Sequence, residues 1–124
     1  MKFDAAQLMR VAEELLKYLY LKGARSVKVA YDFGDDRSFC AVSTSDIVLP
    51  ADDEDYLRRV FEGPVQPEIA SYYGTLVGRR RDELVMELVG TMAELEDLRN
   101  EEGLGVVVVL SRREKDFLTS RKAK

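Results

Sequence analysis

The chain has no histidine, no tryptophan, one cysteine and three prolines in 124 residues. Each scarcity removes a class of chemistry. Without histidine there is no imidazole base, no Ser-His-Asp triad, no HExxH motif and no imidazole metal ligand. The lone Cys40 excludes a disulfide framework and a cysteine-rich zinc site. No run approaches the ~20 apolar residues of a membrane span, and the opening MKFDAAQLMR lacks the apolar stretch of a signal peptide. A cytoplasmic location and no membrane partner are expected. The acids cluster at helix starts and turns, and no pair has a spacing that singles it out for glycosidic or proton-transfer chemistry.

What is present suits a folded domain. Hydrophobic residues make up 46% of the chain, enough for a core at this length. One domain over residues 1–113 is expected, followed by a basic, flexible tail over 114–124. The net charge of −4 gives no global pull toward nucleic acid, so none is expected as a partner. The charge is unevenly spread. Nine acids face three arginines between Asp32 and Gly63, whereas Arg112, Arg113, Lys115, Arg121, Lys122 and Lys124 dominate the end. Such a basic end reads first as a solvated, frayed terminus, with an RNA or membrane contact as the minority reading.

Asp4 to Lys22 reads as an amphipathic helix with Leu8, Val11, Ala12, Leu15, Leu16 and Leu19 on its buried stripe, ended by Gly23. Val27, Val29, Tyr31 and Phe33 alternate as in a strand. Gly34 to Arg37 supplies a turn, and Ser38 to Ser43 returns as a second strand. After Pro50 an acidic first turn opens a helix from about Asp52 to Glu62, with Tyr56, Leu57, Val60 and Phe61 on its apolar face. Pro67 can open a third helix ending at Gly78, and a fourth begins at Asp82. Glu94 to Arg99 fits either a helix extension or an edge strand. The run Leu104 to Leu110 is β-branched enough to be buried on both faces of a sheet. These elements make an α+β fold, a two-layer α/β sandwich with helices on one face of a small mixed sheet.

This order, with these local sequences, resembles the ATP-binding domain shared by sensor histidine kinases, gyrases and anti-sigma-factor kinases, over roughly Leu8 to Arg113. The run Glu14-Leu15-Leu16-Lys17-Tyr18 matches that family's first helix, which carries a Glu and, four residues on, a magnesium-binding Asn. Glu14 matches the Glu, while Tyr18 stands at the Asn position without the amide oxygen a metal shell needs. The family's Asp-x-Gly-x-Gly motif corresponds to Thr44-Ser45-Asp46-Ile47-Val48, which lacks the Asp and both glycines. A phosphate-cradling Gly-x-Gly would fall near Arg81-Asp82-Glu83-Leu84-Val85, which has no glycine and two carboxylates. The resemblance therefore implies the family's fold in a degenerate form, with three nucleotide motifs missing together.

The residues bordering the implied cleft are Glu14, Tyr18, Asp46, Val48, Arg79, Arg80 and Arg81. Each also has a structural reading. Glu14 fits the solvated side of a helix, and Asp46 fits a turn cap. The arginine triplet fits either a basic connector or a dock for an anionic ligand or an acidic partner surface. Cys40 reads as an inert buried thiol. The expected function is a non-catalytic regulatory or protein-interaction module with no cofactor, no bound metal and no catalytic residue. Its partner would be another protein or a second copy, met through the exposed sheet face or edge. The alternative is a small-molecule or atypical nucleotide-binding domain that uses the remodelled cleft.

Overall fold

The computed structural model describes residues 3–62 and 81–114, with side chains from 5 to 62 and from 86 to 114. The helix expected over 67–78, Arg79 and Arg80, and the tail from 115 onward lie outside the described residues. The described elements are α1 (Phe3–Leu21), β1 (Lys28–Phe33), β2 (Arg37–Thr44), α2 (Ala51–Glu62), α3 (Arg81–Gly90), β3 (Glu94–Glu101) and β4 (Gly105–Arg113). Together they form an α+β fold.

The four strands form one open sheet in the order β1-β2-β4-β3, and all three pairings are antiparallel. This corrects the expected mixed sheet. Two hairpins, β1–β2 and β3–β4, meet along β2 and β4, and nothing in that arrangement runs parallel. The segment 94–99 is settled as strand.

All three described helices are on one side. The 3.6-residue period of α1 sets Leu8, Val11, Ala12, Leu15 and Leu19 against Cys40 and Val42 of β2 and Val106, Val108 and Leu110 of β4. Leu57 and Phe61 of α2 and Met86 and Val89 of α3 complete this core. Full burial of each such aliphatic side chain is worth about 1.5–3 kcal/mol relative to exposure, so the stripe accounts for the docking of α1. Leu16 departs from expectation: it lies ~100° around the helix from Leu15 and is exposed. The β4 run also departs from it. Val106 and Val108 are wholly buried, but Val107 and Val109 are only half-buried, because the described helices cover a single face.

The end of α1 is fixed by backbone chemistry. The Ala24 amide donates to the Leu19 carbonyl and the Gly23 amide to that of Tyr20, each at 3.0 Å, while Gly23 takes a φ of 112°. This is a Schellman closure, with Leu19 and Ala24 making the accompanying buried contact. At the start of β4, Gly105 combines a φ of 93° with a second constraint. A Cβ there would collide with the Thr44 carbonyl oxygen. The β3–β4 turn and the end of β2 can approach so closely only at a glycine.

Strand β3 reaches its register through a bulge between Leu95 and Asp97. The bulge lets Glu94 and Glu96 share Arg37, at 2.9 and 3.5 Å, on the sheet face away from the described helices. Arg37 also donates to Ser111 Oγ at 2.8 Å, and Ser111 donates to Glu96. The guanidinium is held above its ordinary pKa, chiefly by the hydrogen bond it donates to the Glu94 carboxylate. At the far end, Arg112 is buried rather than part of a frayed terminus, and its guanidinium donates to the Met92 carbonyl. Glu114 is also buried, and its amide donates to the Asp36 carbonyl at 2.7 Å.

Candidate functional site

Of the residues singled out by the resemblance, Glu14 and Tyr18 lie on the C-terminal half of α1, Asp46 and Val48 on the strap 45–50 that follows β2, and Arg81 at the start of α3. Glu14 and Tyr18 are one turn apart on α1. Glu14 is engaged by Lys17 at 3.2 Å on its own helix, as a solvated face would have it. Tyr18 turns toward α2 and stacks on Tyr56, with ring centroids 6.0 Å apart and planes inclined by 21°. Lys22, one turn on, spans two roles. Its ammonium lies 5.4 Å from the centre of the Tyr18 ring and 3.1 Å from Asp53 Oδ1. The ion pair ties the end of α1 to α2, while the ring contact lies at the last turn of α1 itself.

The Tyr18 hydroxyl is buried and makes no hydrogen bond of ordinary geometry among the described residues. Its pKa is pushed well above the usual phenol value, first by burial and then by the nearby Asp53 carboxylate. It is therefore a neutral phenol at physiological pH, with neither the charge nor the lone-pair geometry for a divalent cation.

Asp46 has a different task. Its Oδ2 accepts the amides of Arg25 at 2.8 Å and Ser26 at 2.6 Å, and its own amide donates to Thr44 Oγ1 at 3.2 Å. One carboxylate thus ties the strap to the segment that leads into β1. These bonds are those of a structural cap. Beyond it, Val48 is exposed, while Leu49 is buried and Ile47 packs partly on the core. The side chain of Arg81 lies outside the described residues, and its backbone opens α3 one residue before the expected start at Asp82. Tyr18 faces α2, whereas Asp46 and Val48 belong to the strap.

Sequence reasoning missed the residue that anchors the strap. Asn100 of β3 accepts the Leu49 amide at Oδ1 and donates to the Leu49 carbonyl through Nδ2, both at 2.8 Å. Nδ2 also reaches Glu54 Oε1 at 3.1 Å, and the other oxygen of Glu54 receives Arg58. Arg58 in turn donates to the Leu98 carbonyl at 3.1 Å. Strap, α2 and β3 are thereby locked together. The partners are 51 residues apart, and nothing local in the sequence announces the link.

Other chemistry is sparse here. Cys40 is buried beneath α1, and burial pushes its thiol up to about 11. Among the described residues no group of three or more Cys, Asp or Glu side chains could hold a metal ion. No described helix is long and apolar enough to cross a membrane. Compared with known proteins, the chain matches no family model, no curated protein and no solved structure at a significant level.

Proposed function

We propose that this chain is a non-catalytic regulatory or protein-interaction module, built on a scaffold of the histidine-kinase ATPase type that has no functional nucleotide site. The observation that carries the reading is how Tyr18 and Asp46 are employed. The first fills the place of a metal-binding Asn with a ring stacked on Tyr56. The second spends its carboxylate on the amides of Arg25 and Ser26. Residues that would serve a ligand in the resembled family serve the fold in this chain.

A thermal-shift titration with ATP and ADP, each with and without Mg²⁺, tests the proposal. A ligand at 100 times its Kd stabilises a folded protein by about 2.7 kcal/mol, roughly 10 °C for a domain of this size. The expected result is no saturable shift. A saturable rise in Tm would overturn the reading in favour of a nucleotide-binding domain using a remodelled cleft.

A further inference from the structure

Strand β1 ends the sheet, and its exposed side has a definite chemistry. The Gly34 amide donates to the Arg37 carbonyl at 3.1 Å, which continues the β1–β2 register by one pair. In an antiparallel ladder alternate residues direct both backbone groups to the same neighbour. Residues 28, 30, 32 and 34 therefore address β2. Val29, Tyr31 and Phe33 turn their N–H and C=O groups to the open edge.

The side chains near this edge are apolar to an unusual degree. Val29, Tyr31 and Phe33 stand on the helix side, opposite Val42, Cys40 and Ser38. Phe33 is 51% exposed, and its ring stacks on the exposed Tyr31 at 5.4 Å. Above them is the flank of α1 opposite to Tyr18, which carries the exposed Leu16 and Tyr20. Tyr18 faces α2, which packs on β3 at the other edge of the sheet, so the opposite flank of α1 lies toward β1. An open strand edge beside exposed aromatic side chains is a template for pairing with another chain.

We infer that the partner is a second copy of this chain, paired antiparallel through β1 about a two-fold axis at Ala30. This deepens the interaction-module reading and rests on it. The sequence of β1 is self-complementary in that register alone. Lys28 falls opposite Asp32 of the second copy, and Asp32 opposite its Lys28, so two ion pairs form on the outer face. Neither residue has an ion-pair partner among the described residues of its own protomer. Val29 falls opposite Tyr31 as a hydrogen-bonded pair, and Val27 opposite Phe33 in the same manner. Each edge group noted above thus finds its complement. The register also pairs residues of equal parity, which keeps both helix layers on the same side of one eight-stranded sheet. A slip of one residue would set helix face against bare face and break both ion pairs.

The test is a charge swap on the full chain, with oligomeric state measured by sedimentation velocity across a concentration series. The wild type is expected to dimerise. Lys28→Asp and Asp32→Lys each create two like-charge pairs and should raise the dissociation constant at least ten-fold. The double swap K28D/D32K should restore the wild-type value. Both positions are exposed, and circular dichroism melting confirms that each variant is folded. A wild type that stays monomeric, or a dimer unaffected by the single swaps, would overturn the inference. So would failure of the double swap to rescue. The nucleotide titration separates this inference from its premise. A monomer that ignores ATP sinks the dimer alone, whereas a rescued dimer that binds ATP sinks the module reading alone.

Discussion

Replacing Asn100 with alanine removes the clamp that fixes the strap. Three hydrogen bonds disappear: two with the Leu49 backbone and one with the Glu54 carboxylate. Neutral hydrogen bonds contribute about 1 kcal/mol each and those to charged groups about 1.5–3. Water reaches this half-buried position, so a net loss of about 2 kcal/mol is expected rather than the full sum. For a domain of this size that lowers Tm by roughly 8 °C. Asn100→Asp sharpens the test. The introduced carboxylate can still accept the Leu49 amide, but it cannot donate to the Leu49 carbonyl and faces Glu54 as a like charge. It should cost more than alanine at neutral pH and recover as the pH falls, because protonation returns a donor and removes the repulsion. Urea unfolding of wild type and both variants at neutral and acidic pH provides the measurement. Variants within about 0.5 kcal/mol of wild type at an unchanged m-value would refute the clamp.

Three further outcomes follow from the same contacts. Gly105→Ala should cost about 3 kcal/mol, combining a left-handed φ with a collision at the Thr44 carbonyl, whereas Gly103→Ala, with open space around it, should cost about 1; urea midpoints compare them. Arg112→Met keeps the buried stem but strands the Met92 carbonyl, and should lose about 1–3 kcal/mol in the same assay. The Cys40 thiol is raised from its ordinary 9.0 to about 11 in the native state, so it binds its proton more tightly folded than unfolded. Stability should be unaffected below pH 9 and fall between about 9 and 11; Cys40→Ala should remove that part of the slope, and a thiol reagent at neutral pH should label Cys40 at the unfolding rate.

Local features were legible where one physical rule dominates. The stripe of α1 and its Schellman closure at Gly23 follow from helical period and a glycine's freedom, and the β1–β2 hairpin from alternation and turn residues. Strand β3 was ambiguous for a reason the structure makes plain. Leu95 and Leu98 are three apart, a helical spacing, yet the bulge between Leu95 and Asp97 shifts the strand's parity and puts both on the core side. A bulge has no strong local signature, so period alone could not decide. The pairing of β2 with β4, which makes the sheet wholly antiparallel, joins segments some seventy residues apart. Asn100 and Arg112 found their partners in the same way, through long-range packing. Of the site residues, Asp46 was readable as a cap, but its partners Arg25 and Ser26 were not.

On the proposed reading no nucleotide binds, because two of the three segments it would occupy in the resembled family, around Tyr18 and Asp46, are already engaged by the chain's own contacts. Amide hydrogen exchange at Arg25, Ser26 and Leu49, with and without MgATP, tests it most directly. These three amides donate to Asp46 and Asn100 in the free protein, so protection without ligand and no change on adding MgATP is the predicted result. Rapid exchange in the free protein that becomes protected when MgATP is added would contradict the account.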